Sequence, residues 1–294
     1  MKINRLKIIM QTFVKYLFKF LPNKIIRSLI LSFPRLAVCS PPNFIFSIND
    51  YLGIYTININ TSSCVERYML RGTYEPSNLK IIENYVNDGD ICFDIGANVG
   101  AISLALAKAV GTLGKVYSFE PHPNFYEKLC NHIKINNLIQ NVSTINRGVS
   151  SAVGTLFLEE DIRVEGRGNA GIVATETKNS FIIDVITLDN FVLDNDLQKV
   201  DFIKIDVEGH EKEVIIGCFE ILKKFKPKIL FETIEIFNND LNQNKFKEIE
   251  ILLKSINYIL FGVDYNGSIK KIESIGEYPM TFALPYVEDN ADNI

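Results

Sequence analysis

The chain has 294 residues, 47% hydrophobic and 22% charged, with a net charge of −4. These values suit one sizeable α/β domain with an extension and exclude disordered, fibrous and low-complexity classes. Eight Lys and Arg and no acid precede Asp50, so all 35 acidic residues fall from Asp50 onward, and that acidic balance argues against nucleic-acid partners.

In chain order, Ile3, Leu6, Met10, Phe13, Leu17 and Phe20 alternate three and four apart, which predicts an amphipathic helix over residues 1–21. Lys15 and Lys19 interrupt any signal-peptide core, and no apolar run reaches the ~18 residues a spanning helix needs. Such a basic helix either touches an anionic membrane face peripherally, at the inner side, or packs on the body with its lysines in water. "SFPRLAVCSPPNF" then breaks the pattern as a linker. "NFIFSINDYLGIYTININ" predicts one or two strands about a turn at Asp50–Gly53. Residues 1–60 are expected to form an extension, and 61–294 the main domain.

After a helical "LKIIENYV", the chain alternates from Asp90. "DICFDI", "KVYSFE" and "NVSTINR" read as strands, "VGAISLALAKAV" and "NFYEKLCNHIKINN" as helices between them. That rhythm signals βαβ units and a parallel sheet. Residues 154–189 depart from it: "GTLFLEE" and "SFIIDVITLDNF" look like strands around the loop "EGRGNAGI", an inserted hairpin or edge pair. Alternation resumes with "VDFIKID", a helix over "EKEVIIGCFEILKKF" with Val214, Cys218, Ile221 and Phe225 in register, the strand "PKILFETI", the helix "KFKEIEILLKSI", and closing strands in "YILFGVD" and "MTFALP". The five cysteines (Cys39, Cys64, Cys92, Cys130, Cys218) are scattered and form no CxxC pair, so neither disulfides nor structural zinc are expected and a cytoplasmic setting is the simpler one.

"DIGANVG", Asp94 to Gly100, joins the first strand of this series to its helix. A glycine loop opening a helix offers unpaired N–H groups and close backbone approach to a ligand. Glu120 ends the next strand, where a carboxylate accepts both hydroxyls of an adenosine ribose. A phosphate loop needs Lys and Ser or Thr after its last glycine, but Ala101 and Ile102 follow Gly100. A dinucleotide loop needs glycine where Asn98 stands between Gly96 and Gly100, and Asp94 suits an ammonium better than a diphosphate. S-adenosylmethionine, with a sulfonium, an ammonium and no phosphate, fits best. An NAD(P)-dependent oxidoreductase and a non-catalytic, membrane-associated scaffold are the alternatives.

"VDFIKIDVEGHE" sets Asp206, Glu208, His210 and Glu211 at a strand's carboxyl end, facing the same crevice. Asp206 can orient the cofactor's methionine end or the substrate, and His210 can accept a proton from a hydroxyl. Asp206, Glu208 and Glu232 have the chemistry to share a divalent cation, but their spacing does not demand one and no metal is expected. His122 and His132 read as surface or packing residues.

These segments resemble the FkbM-type methyltransferases from about Tyr74 to Thr233: "YEPSNLKIIENYVNDGDICFDIGANVGAISLALA", "VYSFEPHPNFYEKLCNHIKIN", "TLDNF", "VDFIKIDVEGHEKEVIIG" and "KPKILFET". The resemblance implies a class I methyltransferase (Rossmann-like) fold, with a mostly parallel sheet, flanking helices and an antiparallel closing strand. It implies S-adenosylmethionine as donor and O-methylation of a hydroxyl on a glycan or secondary metabolite. By the same resemblance Asp94, Gly96, Asn98 and Gly100 form the methionine-side loop, Glu120 clamps the ribose, and Asp206 with the residues after it, Glu208 and His210, lines the reaction crevice. Asn146 and Arg147 stand where many methyltransferases present an acid to adenine, which leaves that contact unassigned.

Overall fold

In a computed structural model, the residues described are 45–60, 63–72, 74–160, 170–233 and 240–286, with Ile25 and Ser28. The N-terminal stripe, the proline linker and most of the glycine-bearing loop at 161–169 lie outside them. The chain divides into two compact units, a smaller one up to Tyr74 that also takes Asn131–Asn137, and a larger one holding most of the rest.

The smaller unit contains strands β1 (Ile45–Tyr51) and β2 (Tyr55–Asn60), paired antiparallel about a turn in which Gly53 N–H donates to Asp50 O. Alternation in "YTININ" buries Tyr55, Ile57 and Ile59 on one face. Helix α1 (Cys64–Arg71) follows, its first turn capped by Ser63 Oγ, which accepts from Glu66 N–H. The open edge of β2 is closed by side chains. Asn136 Nδ2 donates to Thr56 O and Asn136 Oδ1 accepts Thr56 N–H, both at 2.7 Å. His132 Nε2 accepts from Asn58 N–H at 3.0 Å, so the buried His132 packs and also pairs backbone. The edge strand thereby avoids unpaired groups.

The larger unit begins with helix α2 (Pro76–Tyr85) and then alternates: β3 (Ile91–Ile95), α3 (Ala101–Val110), β4 (Lys115–Phe119), α4 (Pro123–Ile135, its end in the other unit), β5 (Val142–Ile145). Beyond the 148–186 region come β10 (Phe202–Ile205), α6 (Glu211–Gly217), α7 (Phe219–Phe225), β11 (Lys228–Glu232), α8 (Asp240–Ser255), β12 (Tyr258–Val263), β13 (Ile269–Lys271) and β14 (Met280–Pro285). The eight-stranded sheet runs β13-β12-β14-β11-β10-β3-β4-β5. From β5 to β11 neighbours are parallel, and β14 lies antiparallel between β11 and β12. Central strands are apolar on both faces, and Phe93, Phe119, Ile203, Ile205, Ile229 and Phe231 meet Val214, Cys218 and Ile221 in the core. Strand order switches between β3 and β10, so their carboxyl ends open the crevice where an α/β sheet binds ligands.

Three expectations are corrected. The insertion is a sheet of its own, ordered β6-β9-β7-β8, with β6 (Gly148–Val149), β7 (Gly154–Glu160), β8 (Ala170–Val173) and β9 (Ser180–Ile186). It is larger than a hairpin because "AGIV", read as loop, pairs with β7. "TLDNF", read as strand, starts helix α5 (Leu188–Asp194), because Thr187 Oγ1 accepts from Asn190 N–H and caps it. The helix over "EKEVIIGCFEILKKF" breaks into α6 and α7 at Cys218. A methyl at Gly217 would meet Ser150 O at 2.0 Å, and the Asp189 carboxylate accepts the N–H groups of Glu220 and Ile221, starting α7 afresh. The buried stripe Val214, Cys218, Ile221 survives the break. Among the described residues no helix is long and apolar enough to cross a membrane.

Candidate functional site

The loop between β3 and α3 is held on two sides. Gly96 and Ala97 donate their N–H groups to Phe119 O at 3.0 and 2.9 Å. Gly96 has φ +82°, and a methyl there would lie 1.8 Å from Asp206 O. Only glycine allows this contact, which seats the loop on the end of β10. Asp206 N–H in turn donates to Ile95 O. Asn98 adopts φ +50°, a conformation its short side chain tolerates, and its Oδ1 accepts Val99 N–H at 2.8 Å.

Asp94 is fully buried at the mouth of this loop. Ser103 Oγ donates to its Oδ2 at 2.6 Å, while Oδ1 has no hydrogen-bond partner among the described residues. Burial pushes its proton affinity up, and Lys204 and the Ser103 bond oppose that.

Glu120, just past β4, is brought to the loop as the sequence predicts. Its Oε2 accepts Asn98 N–H at 2.7 Å and its Oε1 accepts His122 N–H at 2.8 Å. Burial lifts its pKa to about 7 against these two donors. Asn146 Nδ2 donates to the carbonyls of Glu120 and Pro121 at 2.8 and 3.2 Å, fixing the direction of this turn. His122 is buried, stacked on Phe125 at 4.2 Å with Phe181 edge-on at 5.1 Å.

Where β10 and β11 end, one carboxylate oxygen from each of Asp206, Glu208 and Glu232 lies within 4.8 Å of the others. Glu208 sits exposed at the rim with φ +53°, ahead of Gly209 at φ +99°. A non-glycine residue held there marks local strain. Glu211 Oε1 supports the turn by accepting the N–H groups of Val207 and Gly209 at 3.2 and 3.1 Å. Partial burial, then Asp206 and Glu211, raise Glu208 to about 7. Burial, then Asp206 and Glu208, raise Glu232 to about 9, so it carries a proton at neutral pH.

His210 lies beside this group, but its ring is turned to the protein. Nε2 is 2.9 Å from Ser150 Oγ, and Nδ1 is 3.7 Å from Glu213 Oε2. Burial lowers its proton affinity, which leaves the ring neutral near pH 7.

Two residues of this region escaped the sequence reading. Lys204, buried in β10, places Nζ 2.8 Å from Asp206 Oδ2. Glu75 precedes α2 at φ +42°, with Asn78 Nδ2 donating to its Oε2 at 2.6 Å, and its charge acts on Lys204 and Glu208. A lone lysine in the apolar strand "FIKI" and an acid before proline in "YEPSN" were the available signals.

The residues of this crevice fall within a segment, 94–260, that matches the methyltransferase FkbM domain. Methyltransferase sdnD of Sordaria araneosa is 28% identical over 170 residues, covering 48% of this chain and 65% of that protein. Hexuronic acid methyltransferase AglP of Haloferax volcanii is 27% identical over 154 residues, covering 52% of this chain and 59% of that protein. The match thus spans less than two thirds of either relative. A crystal structure of methyltransferase FkbM from Methylobacillus flagellatus is 14% identical, with a TM-score of 0.44 over 75% of this chain and 54% of that one. With more than half of its length matched, the chain belongs to the FkbM methyltransferase family, whose methyl donor is S-adenosylmethionine.

Proposed function

We propose that the protein is an S-adenosylmethionine-dependent O-methyltransferase acting on a hydroxyl of a glycan or secondary metabolite. One observation carries the reading: Glu120 accepts the Asn98 N–H, so the ribose acid and the glycine loop form a single hydrogen-bonded cradle. The residues present fit the cofactor. Among the described residues Asp94 Oδ1 is a buried acceptor without a donor, which an ammonium would supply. Each oxygen of Glu120 accepts one N–H and keeps acceptor capacity for a ribose hydroxyl. The relative named as a hexuronic acid methyltransferase supports a sugar acceptor.

Bound in this cradle, S-adenosylmethionine would supply a methyl group activated by its sulfonium. Displacement in line leaves the protein two tasks, positioning and removal of a proton. In this reading Asp94 takes the methionine ammonium, Glu120 the ribose, and Asp206 faces the point of transfer. Glu208, exposed and with a pKa of about 7, is the general base: it takes the acceptor's hydroxyl proton as the oxygen forms its bond to the methyl carbon. His210, neutral and held between Ser150 and Glu213, steadies the start of α6 beneath that turn. Isothermal titration with S-adenosylhomocysteine tests the proposal: binding is expected, and its absence would sink the reading.

A further inference from the structure

The lysine in the centre of the sheet has no part in the chemistry above. Side chains alternate along β10, so Ile203 and Ile205 enter one core while Phe202, Lys204 and, two residues on, Asp206 take the opposite face. Across the ladder Lys204 is in register with Asp94 of β3, whose side chain shares that face. The lysine is 2% exposed. An ion pair so placed is a poor source of stability, because desolvating it offsets the attraction and an apolar pair of the same volume serves as well. Its position relative to the site is the better explanation.

We infer that Lys204 is a positioning residue serving both halves of the site: its buried ammonium pins the Asp206 carboxylate at the transfer point and sets a positive charge in register with Asp94, favouring the anion that would meet the methionine ammonium. The ion pair to Asp206 Oδ2, at 2.8 Å, leaves the other carboxylate oxygen for the crevice. Asp206 is gripped at the same time through its backbone, by Ile95 O and by the close approach of Gly96. The groups facing the lysine are Asp206 on its own strand, Asp94 on β3 and Glu75 ahead of α2. Burial works against its charge, but these three carboxylates outweigh it and hold the ammonium protonated above the usual lysine range. Asp94 faces Lys204 and Asp206 from β10, Ser103 from α3 and Glu120 from beyond β4. Of these Lys204 is the cation, and it opposes part of the rise in proton affinity that burial imposes on Asp94. The same charge acts on Glu208 and Glu232, so one side chain reaches from the cofactor loop to the base.

The inference rests on the methyltransferase reading, and its test separates the two. Carbon-13 NMR of labelled aspartate carboxyls, with the Asp94 signal identified by its loss in Asp94→Asn, gives the Asp94 titration midpoint without any cofactor. In Lys204→Gln, whose amide still donates to Asp206 and supports the fold, the midpoint is expected to rise by about one pH unit or more. Affinity for S-adenosylhomocysteine at neutral pH is expected to fall in proportion to the loss of ionised Asp94, approaching tenfold per unit once the midpoint lies above pH 7. Asp206→Asn, which leaves the lysine in place, is expected to move the midpoint the other way. A lysine that merely fills space would shift melting temperature alone, and an unmoved Asp94 midpoint in the folded Lys204→Gln protein overturns the inference. Absence of S-adenosylhomocysteine binding to the unsubstituted protein would instead remove the methyltransferase reading and leave the Lys204–Asp94 coupling to be decided by the titration.

Discussion

Glu120→Gln is the sharpest perturbation of the cradle, because it keeps the shape and removes the charge. The carboxylate accepts from Asn98 and His122 through different oxygens, whereas the amide has one oxygen for both. One backbone donor loses its partner, and the ribose hydroxyls lose a charged acceptor. Hydrogen bonds to charged groups contribute about 1.5–3 kcal/mol each, so S-adenosylhomocysteine should bind roughly 10- to 100-fold more weakly. The pH dependence makes the test specific. With a pKa of about 7, the buried Glu120 is mostly protonated at pH 6, while ribose hydroxyls favour its ionised form. Binding at pH 6 should therefore expel close to one proton, on the order of 0.9. Affinity should rise about tenfold per unit well below pH 7, about fivefold between pH 6 and 7, and level off above that. In Glu120→Gln both the proton release and this rise should vanish. Calorimetry in two buffers of different ionisation enthalpy reads the proton count directly. Proton-silent binding at pH 6, or an unchanged affinity in Glu120→Gln, would refute the placement of the ribose at this carboxylate.

Three further outcomes follow from the geometry. Gly96→Ala sets a methyl against the Asp206 carbonyl at a positive φ, so thermal unfolding should report a loss of about 3–5 kcal/mol, and an unchanged Tm would contradict the loop–strand contact. Glu208→Gln should keep S-adenosylhomocysteine affinity yet lower methyl transfer by about 10²- to 10⁴-fold with any acceptor that screening finds, and it should erase the limb in kcat/KM that rises through pH 7 as the base ionises; an unaltered pH profile would shift the role of base elsewhere. Asn136→Ala leaves both backbone groups of Thr56 without their side-chain partner, so urea unfolding should show a loss of about 1–3 kcal/mol and amide exchange at Thr56 should quicken.

Much of the larger unit was legible because its signals are local. Short apolar strands, helices with a single apolar stripe and a glycine loop at a strand end each declare themselves within a dozen residues. β3, α3, β4 and β10 accordingly stand where the periodicity placed them. What failed depends on partners distant in sequence. Nothing in "EKEVIIGCFEILKKF" announces that Gly217 packs against the Ser150 backbone or that Asp189 caps the next turn. Strand β8 forms because β7 lies beside it, and its four residues carry too little pattern to separate them from a loop. Among the candidate site residues, Asn98 and Glu120 meet as spacing along a strand–loop–helix unit predicts.

Lys204 and His210 illustrate the opposite cases. His210 attracted attention for its chemistry, since an imidazole at a strand end suits a base, but orientation cannot be read from residue type. Its two nitrogens turn to Ser150 and Glu213, whereas the neighbouring Glu208 is exposed, which is why Glu208 is the base in our proposal. Lys204 drew none, because a charge inside an apolar strand first reads as an interruption. In the folded chain it is the interruption that matters. Parallel strands present a line of side chains on each face, and register sets Lys204 against Asp94 while alternation sets it beneath Asp206. A crevice crowded with carboxylates can either protonate them or supply a cation. Near the glycine loop the sheet supplies the cation from within, and further out it leaves Glu232 to take up a proton. A cation in register with Asp94 and a proton on Glu232 are thus two answers to the same crowding of carboxylates.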